Sequence, residues 1–356
     1  MEKRLTNRQI RGRGATISPA NRFEALRYEL DEGCEPETEP RSVKTQFFKD
    51  DSQSIISYNN SPDLGFDASL NPYRGCEHGC AYCYARPTHE YLGFSAGIDF
   101  ESRILVKPRA AELLAAELAR PSWVPQILVL SGVTDAYQPI ERKLQITRSC
   151  LRVLAEFRNP VSIVTKNHLV TRDVDYLAEL ASHHAAAVSL SITTLESGLA
   201  QILEPRAATP SHRLDAIAKL RAAGVPVGVN IAPIIPGLND HEIPKIAEAA
   251  AEAGAESACY TIIRLPLTVA PVFVAWLEDH FPDRKDKILG RIRSMRNGKL
   301  NTAEFGARMR GDGPFAEQIR QMFHASCRRS GLGRPRSELS IAAFRRVLPN
   351  QLELSL

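Results

Sequence analysis

Three cysteines fall inside eight residues, Cys76-Glu77-His78-Gly79-Cys80-Ala81-Tyr82-Cys83, spaced C-x3-C-x2-C behind Asn71-Pro72-Tyr73-Arg74-Gly75. Thiols this close on a glycine-bearing loop converge on one point, which is what a metal centre requires. Iron–sulfur clusters take Cys thiolates at short, irregular spacings, normally four of them. Here the fourth is absent locally, so a cluster held by the three keeps one iron open to an outside ligand. Catalytic metal sites need such an open position, and structural sites are closed. Two other readings compete. Zinc could recruit His78 or His89 as a fourth ligand. Cys80 and Cys83 could instead form a C-x-x-C redox pair, which leaves Cys76 without a role.

The elements that must position such a loop follow in chain order. Helical periods over residues 108–120, 142–157, 172–183, 211–223, 241–253 and 269–280 alternate with short apolar runs. Those runs lie at 124–131, 160–165, 187–193, 225–231 and 257–263. Strands alternating with helices predict an α/β fold with a parallel sheet covered by helices. The runs are apolar nearly throughout, as when both faces of a sheet are buried. With the strand that leads into the cysteine loop there are six β/α units, fewer than the eight of a closed barrel. A doubly wound open sheet also fits, although no G-x-G-x-x-G or P-loop follows any strand.

Parallel α/β architectures bind ligands at the carboxyl ends of their strands. Those ends are the cysteine loop, Ser131-Gly132-Val133-Thr134-Asp135, Thr165-Lys166-Asn167-His168, Ser191-Ile192-Thr193-Thr194, Asn230-Ile231-Ala232-Pro233 and residues 261–264. One polar strand end is only a turn or a cap. A succession of them around a thiol cluster predicts a site.

The 356 residues are 44% hydrophobic and 24% charged, as in a soluble globular protein. No apolar run approaches the about 20 residues of a membrane span, and Met1-Glu2-Lys3-Arg4 opens no secretory signal. A cytoplasmic chain with reduced cysteines is expected, and an odd count of seven argues against a disulfide framework. The net charge of +4 is uneven: residues 284–346 carry 16 Lys/Arg against 5 Asp/Glu, a net of +11, which leaves −7 elsewhere. Such asymmetry suits a surface that meets nucleic acid; the plainer alternative is a set of solvated helical faces. Three regions follow. Residues 1–60 form an extended arm, with Arg11-Gly12-Arg13-Gly14-Ala15 and Asn21-Arg22-Phe23-Glu24 but no apolar period. Residues 61–283 form the core, and 284–356 a basic, mainly helical extension. Cys34, in the arm, has no neighbour of useful type.

The words NPYRGCEHGCAYCYAR, SGVTDAYQPIE and SIVTKN resemble the radical S-adenosylmethionine superfamily, in its spore photoproduct lyase-like branch. GRGA, NRFE and the arginine-rich C-terminus are similar to a bacterial subgroup of that branch. The resemblance covers about residues 66–282 and implies a partial (β/α)6 barrel of the TIM type. It implies that Cys76, Cys80 and Cys83 hold three irons of a [4Fe–4S] cluster whose fourth iron chelates S-adenosylmethionine. One-electron reduction would then yield a 5′-deoxyadenosyl radical that abstracts hydrogen; the protein's part is orientation and exclusion. It further implies that Tyr82 lies near the adenine and that Ser131 to Asp135 meet the methionine amino group. Lys166 and Ser191 would face the carboxylate or ribose, and Asn230 the ribose or adenine. The electron would come from a donor such as flavodoxin or ferredoxin, and the substrate would be nucleic acid or, alternatively, a peptide or small metabolite. A zinc-stabilised binding module is the non-enzymatic alternative.

One departure stands out. Spore photoproduct lyases place a hydrogen-donating cysteine in a C-T-S-D word, and the matching word here is Gly132-Val133-Thr134-Asp135. Repair of a thymine dimer by that route is therefore not expected. Cys150 and Cys259 fall in a helix and a strand, where a cysteine usually acts as a small hydrophobe. Cys327, in Ser326-Cys327-Arg328-Arg329, is the remaining candidate hydrogen donor, with arginines expected to lower its pKa.

Overall fold

The computed structural model describes residue 10 and residues 12–24, 43–333 and 338–347; Cys34, Arg334 and Arg336 lie outside them. Ten strands follow one another among the described residues: β1 (Gln46–Lys49), β2 (Ile56–Tyr58), β3 (Ala68–Leu70), β4 (Tyr73–Arg74), β5 (Arg103–Val106), β6 (Leu128–Leu130), β7 (Val161–Thr165), β8 (Ala186–Ser191), β9 (Val227–Ile234) and β10 (Ser257–Ile262). Seven of them make one sheet in the order β10-β9-β8-β7-β6-β3-β2. Its strands from β3 to β10 are all parallel, and β2 pairs antiparallel at the edge. The expected α/β fold with six parallel strands is present.

The two faces of this sheet differ in a way the apolar runs concealed. Leu70, Leu130, Ile163, Leu190, Val229 and Ile262 are buried on the helix-covered face, each contributing roughly 1.5–3 kcal/mol. The other face carries small side chains in register. Ser189, Gly228 and Ser257 form one row, and Ser191, Asn230 and Cys259 the next. A Cβ on Gly228 would lie 2.7 Å from the Ser257 hydroxyl, so that row has no room for larger residues. Small side chains thus line this face of the sheet.

Several boundaries moved for physical reasons. The run at 124–131 yields only Leu128–Leu130; Pro125 has no N–H to extend a ladder. The helix expected over 142–157 is two helices, Glu141–Leu144 and Ile146–Phe157, broken where Gln145 turns left-handed at φ 51°. The buried Glu141 carboxylate accepts the Thr147 and Arg148 N–H groups at 3.0 and 3.3 Å, capping the second helix from outside it. A helix over Ser197–Leu203 was not foreseen.

The described residues of the arm, 10, 12–24 and 43–60, belong to the body of the protein. β1 pairs with β5 and β5 with β4 in a three-stranded sheet, so the arm supports the strand that leads into the cysteine loop. Ile10, Ala15 and Ile17 pack with Ile98, Val272 and Ala275 in a small core of their own. At the other end, the helix Pro314–Arg329 puts Ile319, Phe323 and Cys327 into the main core. Residues 306–310 bridge the sheet's two edges. The Gly306 N–H and Arg308 bind Asp63, beside β2 and β3, at 2.6 and 2.5 Å. Arg310 donates to the carbonyl of Tyr260 on β10 at 2.7 Å. Among the described residues, no helix is long and apolar enough to cross a membrane.

Candidate functional site

Between the cysteines stand the residues that pin the loop. The Glu77 N–H donates to Gln138 at 2.9 Å, and its carboxylate accepts the Thr45 hydroxyl at 3.0 Å and the Ile140 N–H at 2.9 Å. His78 places Nδ1 3.3 Å from Asp135 and Nε2 3.2 Å from the Asn167 amide. Gly79 turns left-handed at φ +67°, and a Cβ there would meet the Glu101 carboxylate at 2.7 Å. Cys76 and Cys80 are buried and Cys83 half-buried, all with free thiols. Burial pushes all three thiols up, with Asp135 adding to the effect at Cys76 and Glu204 at Cys80. Such thiols become ligands only where a cation compensates the thiolate charge.

Two carboxylates, Asp135 half-buried and Glu204 buried, organise the site. Asp135 was the expected partner of an amino group, but its oxygens are already occupied. Oδ1 accepts the Tyr137 N–H at 2.9 Å and the Thr165 hydroxyl at 2.7 Å; Oδ2 accepts the Lys166 N–H at 2.8 Å and faces His78. Burial pushes this carboxyl up, yet His78 and the N–H donors outweigh it and hold it below the usual carboxylate range. The second carboxylate, Glu204, escaped the sequence analysis because it ends the unforeseen helix. It accepts the Tyr82 hydroxyl, the Thr193 hydroxyl at 2.6 Å, the Arg213 guanidinium and, at 3.2 Å, the Lys166 ammonium. Burial pushes Glu204 up, but Arg213, Lys166 and these hydroxyls prevail and hold it far below the usual range.

The other expected residues sort as follows. Tyr82 is buried, with the Lys166 ammonium 5.7 Å from its ring centre. Lys166 also donates to Thr193 at 3.4 Å and to the Ala232 carbonyl at 3.3 Å. Ser131 adopts φ 80°, and its hydroxyl accepts the Ala136 N–H at 2.9 Å. Ser191 and Asn230 are neighbours across β8 and β9; Arg213 grips the Ser191 carbonyl at 2.9 Å, and the Cys259 thiol donates to Asn230. Cys259 is therefore a polar partner on the face of small side chains and not the small hydrophobe expected. Cys327 corrects its expectation in the opposite sense. Its thiol is buried in the core, and burial pushes it up to about 11, with Cys259 adding to the effect; the arginines beside it in sequence do not lower it. The basic extension is also less free than its charge suggested, since Arg296, Arg308, Arg310, Arg345 and Arg346 bind acceptors in the body of the protein.

The donor set fits an iron–sulfur cluster better than zinc. Of the histidines offered as a fourth ligand, His78 is engaged at both nitrogens, and His89 packs against the Phe94 and Phe100 rings at 5.2 and 5.6 Å. Among the described residues, the group of three such ligand atoms within 4.8 Å of one another is Glu196, His241 and Glu242, not the cysteine sulfurs. A single zinc with bonds of about 2.3 Å draws its sulfurs to within about 4 Å of each other. A cluster places each thiolate on a different iron and spreads them wider.

His89 carries a prediction of its own. Burial holds its imidazole down at about 4. The unfolded chain takes up this proton near pH 6.5, so the stability is complete above that pH and lost as pH falls toward 4. Up to about 3 kcal/mol is at stake. Urea midpoints at pH 7 and pH 5 should differ less in His89→Phe than in the wild type.

With this geometry in hand, comparison with known proteins is direct. Residues 70–250 match the model of the Radical SAM superfamily. An uncharacterised protein of Mycobacterium tuberculosis is 36% identical over 226 residues, which are 63% of this chain and 66% of that relative's length. A radical SAM Nα-GlyT isomerase of Pseudomonas phage M6 is 24% identical over 61% of this chain and 43% of its own. Spore photoproduct lyase complexed with dinucleoside spore photoproduct shares the fold at TM-score 0.57 and 14% identity, over 80% of this chain and 79% of that one. The match spans half of the chain and contains all three cysteines, the Asp135 and Glu204 carboxylates and five of the six parallel strand ends. The chain belongs to the radical S-adenosylmethionine superfamily.

Proposed function

We propose that this chain is a radical S-adenosylmethionine enzyme that acts on nucleic acid, with Cys76, Cys80 and Cys83 as the ligands of its [4Fe–4S] cluster. The observation that carries the reading is the presence of three free thiols, two buried and one half-buried, on one short loop pinned at Glu77, His78 and Tyr82. Bound there, the cluster and S-adenosylmethionine would supply one-electron cleavage and a 5′-deoxyadenosyl radical able to abstract hydrogen. The chain's own residues hold and orient. Glu204 and Asp135 keep Lys166, Thr193 and the cysteine loop in one arrangement, and the small side chains of β8, β9 and β10 leave their face of the sheet to a ligand. A donor such as flavodoxin or ferredoxin would deliver the electron.

A specific pair favours nucleic acid over a peptide or metabolite. Tyr84 follows the last cysteine, donates to the Gly132 carbonyl at 2.9 Å and keeps half of its surface exposed. Arg264 stacks on its ring at 5.4 Å and makes no ion pair among the described residues. Burial, then Arg308, pulls its pKa down, as for a cation awaiting an anion. Aromatic faces beside arginines suit stacked bases and phosphates. The spore photoproduct lyase whose fold this chain shares is complexed with a ligand of this class, a dinucleoside.

The test is anaerobic iron–sulfur reconstitution followed by reduction with S-adenosylmethionine present. A reducible cluster and 5′-deoxyadenosine are expected; uptake of zinc alone would sink the radical reading. Single-stranded DNA should bind with an affinity that falls steeply with salt, and Arg264→Ala should lower the slope of that dependence by about one. Absent or salt-insensitive binding would turn the assignment toward a peptide or small metabolite.

A further inference from the structure

Residues 12–24 run across the cysteine loop as a strap, and two buried carboxylates hold them there. The first is Glu101, which accepts the N–H groups of Gly14 and Ala15 at 3.0 and 2.8 Å. The second is Glu90. It pairs with Arg22 at 2.8 Å, while the Glu90 and Phe94 carbonyls accept the Asn21 amide at 2.9 and 3.1 Å. The buried Arg13 guanidinium reaches the Glu101 carbonyl, the Val43 carbonyl at 2.8 Å and the Thr45 hydroxyl at 2.9 Å; that hydroxyl in turn binds Glu77. Arg206 closes the near end, donating to the Gly12 carbonyl at 3.1 Å.

Contact between strap and loop is backbone against backbone. A Cβ on Gly14 would lie 1.7 Å from the Gly79 carbonyl oxygen, so no other residue fits. Further along, a Cβ on Gly97 would come within 2.2 Å of the Ile17 carbonyl. The docking also reaches a cysteine. Fully buried Arg86 binds the Glu101 carboxylate at 2.5 Å and donates twice to the Cys80 carbonyl, at 2.8 and 3.1 Å. Strap N–H groups, Glu101, Arg86 and the Cys80 carbonyl therefore form one continuous chain of hydrogen bonds. Glu101 and Arg86 are both fully buried.

We propose that the strap is a working wall of the cysteine site: docked, it sets the conformation at Cys80 through Glu101 and Arg86 and shields the loop from solvent. Glu101, Arg86 and Gly14 are positioning residues for the three thiols. The inference rests on the cluster reading for its spectroscopic consequence, and on geometry alone for its effect on thiol access.

The experiment therefore has two arms. In the metal-free full-length protein, alkylation rates of single cysteines are followed by mass spectrometry in wild type, Gly14→Val and Glu101→Gln. Cys76, Cys80 and Cys83 should react about tenfold faster or more in Gly14→Val, because the strap can no longer lie down. Cys150, fully buried in the core, is the internal control and should not change. Glu101→Gln keeps the side-chain size and should fall between the two; it stands in for Gly14→Val should circular dichroism show that variant unfolded. In the second arm, reconstituted proteins are reduced and compared by electron paramagnetic resonance and by the rate at which air bleaches the cluster. A shifted signal and faster bleaching in the variants are expected. Wild-type alkylation rates at all three cysteines, or an unchanged signal and bleaching rate, would overturn the proposal. If the wild type itself forms no cluster, the radical reading fails, and the alkylation arm still decides the strap.

Discussion

Cys80→Ala should abolish reductive cleavage of S-adenosylmethionine while leaving the fold intact. The two halves of this outcome rest on different atoms. Loop geometry at this position depends on the Cys80 carbonyl, which Arg86 holds twice, and on Glu77, His78 and Tyr82 at its flanks. None of those hydrogen bonds uses the Cys80 side chain. Removing a small half-polar group from a buried position then costs on the order of 1 kcal/mol, and the thermal transition should move by only a few degrees. Cluster chemistry depends on the sulfur alone, since a cluster with two protein ligands is neither retained nor correctly placed. The measurements are 5′-deoxyadenosine by chromatography and a melting curve on the same preparation. Wild-type cleavage in this variant would remove Cys80 from the ligand set, and a collapsed melting curve would mean that the sulfur has a structural role the geometry does not show.

Replacement of Glu204 should be the most destabilising single change at the site. Its buried carboxylate lies between the buried Arg213 and the half-buried Lys166 and accepts two hydroxyls. Breaking a buried ion pair from one side costs about 3–5 kcal/mol, because the cation left behind has lost its partner. Here Arg213 is nearly fully buried, so Glu204→Ala strands it. Glu204→Gln should be almost as costly, since it restores hydrogen bonds but no charge. The same group sets an acid limb. Its folded pKa is depressed, so the stability it contributes is fully present above the unfolded carboxylate value near 4.3 and is lost as pH falls from there toward the folded value. Chemical denaturation of wild type and Glu204→Gln from pH 7 down to 3 checks both claims. The variants should start less stable and lose less on acidification. Equal stabilities at neutral pH would mean that water or a rearranged Lys166 replaces the lost charge.

The parts legible in the sequence were those written in local spacing. C-x3-C-x2-C places three thiols on one short loop whatever surrounds it, and the alternation of apolar runs with helical periods implied six parallel strands before any contact was known. Polar residues just past those strands singled out Asp135 and Lys166, which strand direction alone puts at one end of a parallel sheet. What each of them does there was not legible. Asp135 reads as a free carboxylate in its own stretch of chain, yet it is filled by a donor from its own loop and by donors from two distant segments, at His78 and at Thr165-Lys166. Tyr82 reads as an aromatic beside a cysteine, yet its hydroxyl is committed to a carboxylate 122 residues away.

Cys327 shows the same limit from the other side. Arginines adjacent in sequence suggested a lowered thiol pKa, but on a helix adjacent residues point to different faces, and the face that carries Cys327 is turned into the core. The arm is the largest instance. GRGA has no apolar period and reads as loose chain; its glycine is required because the backbone of residue 14 rests on the backbone of residue 79. Its N–H groups are recognised by Glu101, 87 residues further on. Composition and periodicity determine which segments become strands and helices and where thiols cluster, since both depend on neighbours within a few residues. Only the tertiary structure decided which buried carboxylate meets which distant donor, because those partners are brought together by packing and leave no periodic trace along the chain.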